Sequence, residues 1–198
     1  MKLYWAPQTR SIRAIWMLEE AGVTYERFKI DIRDESSKAN PSLRAASPMG
    51  KVPALEDGAV RIWDSGAICA YIADQYPANK LAPPIGDAQR GEYLMWLMFT
   101  NSVIEPAMGE KVANIPPSPA RYGWGSWDQM LITLRQGVGG SQWVLGERFS
   151  AADVLLGMSC IFLQQFKMVS DEPILAAYAA RCSVRPALQR ALAIEAAG

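Results

Sequence analysis

The chain has 198 residues, half of them apolar, with 20 basic residues balanced by 20 acidic ones. That is enough for one large or two small globular cores. It supplies neither a basic field for nucleic acid nor a polybasic run for anionic lipid. There is no histidine, so histidine-ligated metals and histidine proton switches are excluded. Cys69, Cys160 and Cys182 are far apart and lack C-x-x-C spacing, against a zinc site and a dithiol redox motif. An odd cysteine count without a disulfide framework fits a reducing cytosol. The opening "MKLYWAPQTR" is too short in apolar residues for a signal peptide, and "VLLGMSCIFL" is too short to span a bilayer. The reading is a cytoplasmic chain.

In chain order, "KLYWA" predicts a buried strand ended by Pro7. From Ser11, the spacing of Ile12, Ile15 and Leu18 predicts a helix that Gly22 stops. "FKIDIR" alternates, with Phe28, Ile30 and Ile32 on one face, and predicts a second strand; β-α-β order favours a parallel pair. Residues 34–50 are polar and turn-rich, with room for a short helix. "VPALE" and "VRIW" flank Asp57-Gly58, a hairpin signal. "DSGAI" opens a helix that Asp64 or Ser65 can cap and that ends before Pro77.

"PANKLAPPIGD" reads as a linker, and everything after it as helical. A long helix spans "AQRGEYLMWLMFTNSVIEPAMGEKV", bent near Pro106. "WDQMLITLRQ" predicts another, up to "GVGG". "FSAADVLLG" opens a third, with Ser150 as N-cap, Asp153 as its N3 partner, Phe149 as a staple to Val154, and a stripe through Val154, Met158, Ile161, Phe162 and Gln165. Two helices separated by Pro186 finish the chain. The division is residues 1–77 as a β-α-β-α-β-β-α domain, 78–86 as linker, and 87–198 as an all-helical domain.

Two features point to a ligand. Pro53 at the mouth of a strand cannot donate to a ladder, so it marks either a plain edge strand or a cis turn. In the second case the backbone of Val52 faces outward, where an extended peptide can pair with it. Asp64 and Ser65 sit at a helix N-terminus, whose free N–H groups attract a carboxylate. Ser65 can donate to that carboxylate while Asp64 receives an ammonium. Together they suit an amino-acid head, although an ordinary cap needs the same residues.

"MKLY", "LEEAG", "GKVPAL", "DSGAICAYIADQYP" and "LGERFSAADVLLG" together resemble the glutathione S-transferases over essentially the whole chain. The resemblance implies a thioredoxin-like N-terminal domain followed by an all-helical one, and a homodimer. Glutathione would be a co-substrate rather than a bound cofactor, with a small apolar electrophile as its partner. It implies a cis Pro53, Val52 on the cysteinyl backbone of glutathione, Asp64 and Ser65 on the γ-glutamyl head, and Lys51 or Lys38 on the glycyl carboxylate.

Conjugation needs the thiolate, and a free thiol of pKa about 8.5 is mostly protonated near neutrality. A hydroxyl and a helix N-terminus can shift that balance. Thr9 matches the position of the catalytic serine in serine-using relatives, with Ser11 as second candidate or simple N-cap. Arg10 stands where cysteine-type bacterial members carry cysteine. Tyr4 stands near the tyrosine of other classes but equally suits the core. Gly66 replaces an arginine found in some relatives. The resemblance places the electrophile pocket between the "WAPQT" loop and the first helix of the helical domain, with Met98, Phe99, Ser102, Met108 and Trp124 as candidates. The competing reading is a non-catalytic module of the same fold that holds glutathione, an apolar ligand or a partner.

Overall fold

A computed structural model describes residues 1–198. Its contacts divide the chain into two units, Met1–Lys80 with Val184–Gly198, and Leu81–Ser183. The first unit is built on strands β1 (Lys2–Trp5), β2 (Glu26–Lys29), β3 (Ala54–Asp57) and β4 (Val60–Trp63), in the order β2-β1-β3-β4. β1 and β2 run parallel, joined by helix α1 (Ser11–Ala21); β3 is antiparallel to both β1 and β4. Asp57 faces Val60 across the predicted Asp57-Gly58 turn, with Gly58 at φ +56°. This is the thioredoxin-like arrangement, completed by short helices α2 (Glu35–Lys38) and α3 (Pro41–Ala46) and by α4 (Ser65–Gln75).

The second strand is shorter than the alternation of "FKIDIR" predicts. β1 ends at Trp5 and the chain turns at Ala6-Pro7, so only Ile30 still reaches the ladder, donating to the Trp5 carbonyl at 2.8 Å. Beyond it Asp31 donates its N–H to Ser37 Oγ and takes the N–H of Arg33, which curls the backbone and leaves Ile32 exposed. Residues 34–50 hold two short helices, capped by Asp34 and Asn40 through side-chain oxygens.

The helix that ends the chain, α10 (Pro186–Ala197), belongs with the first unit although the linear division grouped it with the helical domain. The cause is α1, whose residues Ser11–Leu18 are all buried and need cover on more sides than the sheet provides. α10 supplies it and is fastened at two points. Arg185 grips Glu20 with both nitrogens, at 2.6 and 2.8 Å, and Arg190 bonds the Glu19 carboxylate at 2.7 Å and its carbonyl at 2.9 Å.

The second unit is helical: α5 (Arg90–Phe99), α6 (Glu105–Ala113), α7 (Trp127–Gly139), α8 (Ala151–Gln165) and α9 (Pro173–Ser183). α5 and α6 form the predicted long helix, but the ladder is disturbed before Pro106, in a π segment over Thr100–Ile104. Pro106 has no N–H and its ring crowds the carbonyl of Ser102, so the turn ahead of it widens. Ser126 and Gln129 form a capping box at the start of α7.

α8 is buried on every side from Ala151 to Cys160 rather than along one stripe, and Gln165 is exposed. Its N-terminal turn is organised by Asp153, fully buried, which accepts from Val144 N–H and Ser150 N–H at 2.8 Å, Ser150 hydroxyl at 2.9 Å and Tyr178 hydroxyl at 2.6 Å. The Phe149 ring lies edge-on to Trp143, with centroids 4.8 Å apart. No helix is long and apolar enough to cross a membrane.

Candidate functional site

The loop from β1 to α1 is drawn into a closed turn by its own hydroxyls. Thr9 Oγ1 lies 2.7 Å from the Ala6 carbonyl, 2.9 Å from Ser11 Oγ, and accepts the Ser11 N–H at 3.1 Å; Ser11 Oγ accepts the Ala6 N–H at 3.3 Å. A hydroxyl has one hydrogen, so Thr9 serves one acceptor at a time. When it donates to Ala6, Ser11 can donate to Thr9, and both oxygens are satisfied within the turn.

The helix starts differently from the N-cap reading of Ser11. Ser11 is the first residue of α1, the cap position is Arg10, and Thr9 satisfies the first N–H. Ser11 is completely buried, whereas Thr9 is half-buried. The first turn of α1 carries no acidic residue, so its positive end is not answered there by a carboxylate.

Gln8, just before Thr9, is left-handed at φ +56°, a conformation that costs a non-glycine residue about 1–2 kcal/mol. Its N–H is held by Glu195 Oε1 of α10 at 2.9 Å. Nothing in the local sequence announces this bond. Its two residues are 187 positions apart.

The segment before β3 is fixed from beneath. Ser47 is buried; its carbonyl takes the Gly50 N–H at 2.7 Å and its hydroxyl takes the Lys51 N–H at 3.1 Å. Gly50 adopts φ +63°, which favours glycine, and the Arg44 guanidinium carbon lies 2.8 Å from where a Cβ would stand, so a larger residue would also push that side chain aside. Arg44 donates in turn to the carbonyls of Lys38 at 3.1 Å and Pro48 at 3.0 Å, tying α2 to the "SPMG" turn. Arg44 carries no motif signal, and its role is visible only in three dimensions. Val52–Pro53 is cis. Val52, half-buried, packs on the cluster of Tyr4, Ile30, Leu43, Ala46 and Ala54. Lys51 is exposed, while Lys38 is paired with Glu35 three residues earlier.

Asp64 caps α4, its Oδ1 accepting from Gly66 at 2.8 Å and Ala67 at 3.2 Å. It does so at φ +83°, rare for a residue with a Cβ, and strain of this kind concentrates at ligand sites. Asp64 is exposed and Ser65 nearly buried beside it. Arg13 of α1 is wholly buried, and its carbonyl accepts from the Cys69 thiol of α4 at 3.9 Å. Burial holds that thiol far above its usual pKa, and that of Cys160 is pushed up to about 12. These cysteines are core residues, and Cys182 is buried as well.

Tyr4 is fully buried with its hydroxyl unsatisfied, its ring 5.4 Å from that of Phe28. It faces the core cluster, in keeping with the core alternative.

The five candidates for an apolar pocket all lie in the helical unit. Met98 and Ser102 are exposed, and Ser102 Oγ donates back to the Met98 carbonyl at 2.7 Å. Met108 is a core residue at 4% exposure. Trp124 is half-buried and stacked on Tyr122 at 4.5 Å. Phe99 lines a groove of about 600 Å³ together with Trp96 of α5 and Thr133, Gln136 and Gly137 of α7. The Trp96 ring fits there because position 137 is glycine, where a Cβ would come within 2.3 Å of it.

A thioredoxin-like unit followed by a helical one, with a hydroxyl at the start of α1 and an aspartate cap at φ +83° beside a serine on α4, is the frame for comparison with known proteins. The comparisons agree. Residues 1–74 match the glutathione S-transferase N-terminal domain. A sphingomonad glutathione S-transferase solved with glutathione is 30% identical, with full coverage of both chains and a TM-score of 0.82. A glutathione transferase from Methylococcus capsulatus is 28% identical over all of this chain and 99% of its own, with a TM-score of 0.84. Glutathione S-transferase GstA of Escherichia coli O157:H7 is 25% identical over 98% of each chain. The chain belongs to the glutathione S-transferase family.

Proposed function

We propose that this protein binds glutathione on the first unit and activates its thiol for transfer to an apolar electrophile. Asp64 receives the γ-glutamyl ammonium, and Ser65 with the N-terminus of α4 receives the carboxylate beside it. The backbone of Val52, held by Pro53, pairs with the cysteinyl residue as an added strand would. Lys51 is the better placed of the two lysines for the glycyl carboxylate, because Lys38 already has Glu35.

The thiol then lies at the start of α1. Thr9 turns its hydroxyl hydrogen from the Ala6 carbonyl to sulfur, and the helix dipole adds to the stabilisation of the thiolate. The thiolate attacks an electrophilic carbon; the carbon–sulfur bond forms as the leaving group departs with its electron pair. Ser11, buried, supports Thr9 rather than touching sulfur. Met98, Phe99, Ser102, Met108 and Trp124 stay as the proposed apolar surroundings, with exposed Met98 and half-buried Trp124 the strongest. A homodimer in a cytoplasmic, reducing setting completes the reading. The observation that carries it is the half-buried Thr9 hydroxyl at the start of α1, a helix whose own first turn contains no acidic residue. Replacing Thr9 with valine tests it: glutathione still binds, and conjugation of an activated aryl halide falls.

A second reading has one observation behind it. The hydrogen of Thr9 already has an acceptor within the turn, at 2.7 Å. A protein that keeps it there would hold glutathione without activating it, and would bind with no rise in thiolate. A protein-thiol oxidoreductase has no such support, since Cys69, Cys160 and Cys182 are all buried.

A further inference from the structure

We propose that Glu195 is a positioning residue for thiol activation: its carboxylate holds the Gln8 N–H, fixing the left-handed turn that places the Thr9 hydroxyl at the start of α1. This rests on the reading of Thr9 given above.

The geometry runs in a short chain of contacts. The bonds among Ala6, Thr9 and Ser11 close the turn on itself. The bond from Gln8 to Glu195, 2.9 Å, ties that turn to α10. Gln8 is exposed, so it is the backbone of this residue that is used, at the φ of +56° that directs the chain into Thr9. A residue with a Cβ stays in that region only when its surroundings hold it there.

The other end of the tie is anchored too. Arg185 just ahead of α10, and Arg190 and Glu195 on it, recur at five-residue intervals and meet Glu20, Glu19 and Gln8 in turn. α10 therefore runs antiparallel along α1, from its C-terminal end to the loop ahead of its first turn. Two ion pairs fix the rod, and the third contact is spent on the loop. Glu195 is half-buried, which raises its pKa, while the Gln8 bond works in the opposite sense. A negative charge near a forming thiolate is unfavourable in itself, so the value of Glu195 at this position is geometric.

The experiment compares Glu195→Ala, Glu195→Gln, Thr9→Val and the double variant Glu195→Ala/Gln8→Gly in the full chain. Each is measured for kcat and KM with glutathione and an activated aryl halide, and for the ultraviolet thiolate absorbance of bound glutathione. Glu195→Ala lowers kcat about tenfold and weakens the thiolate signal while KM for glutathione stays within about twofold, as expected for a displaced catalytic hydroxyl. Glu195→Gln keeps an acceptor for the Gln8 N–H and returns the wild-type signal. Glycine at position 8 takes φ +56° without steric cost, so the double variant recovers most of what alanine lost. Wild-type kcat and thiolate signal in Glu195→Ala would overturn the proposal. So would a glutamine variant as weak as alanine, or a double variant with no recovery, which also separates positioning from loss of fold. If Thr9→Val keeps the full thiolate signal, the Thr9 reading fails and takes this proposal with it. If Thr9→Val loses the signal and Glu195→Ala does not, the positioning role fails alone.

Discussion

The hydroxyls of Thr9 and Ser11 stand 2.9 Å apart, one half-buried at the loop surface and the other sealed inside it. In the proposed mechanism the two have different tasks. Ser11 holds Thr9 in place, and Thr9 carries the hydrogen that can leave the turn. Thr9→Val preserves the shape and removes that hydrogen. A hydrogen bond to a charged group is worth about 1.5–3 kcal/mol, so the bound thiol should titrate about one to two pH units higher in the valine variant. Thr9→Ser keeps the donor without the methyl and retains the wild-type titration. Spectrophotometric titration of the complexes checks both.

Asp64 caps α4 and, in the proposed site, also binds the ammonium, so substitutions can separate the two. Asparagine at this position still caps α4 and tolerates a positive φ, so Asp64→Asn should melt within a degree or two of wild type, caps of these two residues being nearly equivalent. Its charge is gone, and KM for glutathione should rise about tenfold for the lost ion pair with the ammonium. Asp64→Ala loses the cap as well and should cost a further 0.5–2 kcal/mol or so, by denaturant unfolding. An asparagine variant with unchanged KM would remove Asp64 from the γ-glutamyl site.

Tyr4 gives a prediction of the opposite kind. Its hydroxyl is buried without a partner, and such a group costs about 1–3 kcal/mol to desolvate. Tyr4→Phe should leave turnover unchanged and the unfolding midpoint equal or higher. A large fall in kcat would mean that this hydroxyl reaches the thiol after all.

Glu172 links pH to stability in the helical unit. Arg135 donates its Nε–H to Glu172 Oε2 at 2.8 Å and pairs through a second nitrogen with the other oxygen, which holds the carboxyl below its usual pKa. A depressed folded pKa gives stability that is present above the unfolded value, near about 4.3, and is lost as pH falls through the folded one. The difference in Tm between wild type and Arg135→Met should therefore be largest near neutrality and shrink below about pH 4. Asp153 acts in the opposite sense. Burial raises its pKa, so its contribution is greatest at low pH and declines as pH rises through the folded value. A Tm difference for Arg135→Met that is constant from pH 7 to about pH 3 would show that the pair does not couple to folding.

The features legible in the sequence were those written in neighbouring residues. The Asp57-Gly58 turn, the Asp64 cap, the Ser150–Asp153 pair and Pro186 at the start of α10 each depend on contacts a few positions apart. Alternation overextends the second strand because it reports a face and not a partner. Ile32 has the pattern of a strand residue, but β1 has already turned away. Ser11 reads as a cap because it begins the helical pattern, whereas the cap position is Arg10 and the Ser11 N–H is taken by Thr9 Oγ1. Arg44 and Glu195 were out of reach for a different reason. Arg44 reaches carbonyls only six and four residues away but by a long side chain that follows no capping or turn pattern, and no residue type or spacing encodes the Gln8–Glu195 bond across 187 positions.

The most direct measurement is the ultraviolet absorbance of the glutathione thiolate, scanned across pH as the purified protein is added. A saturable thiolate signal that appears one or more pH units below the ionisation of free glutathione, about 8.5, is the result predicted, and it joins binding to activation in one titration. Calorimetric binding with no displacement of that titration would contradict activation by Thr9 and favour a protein that holds glutathione without transferring it.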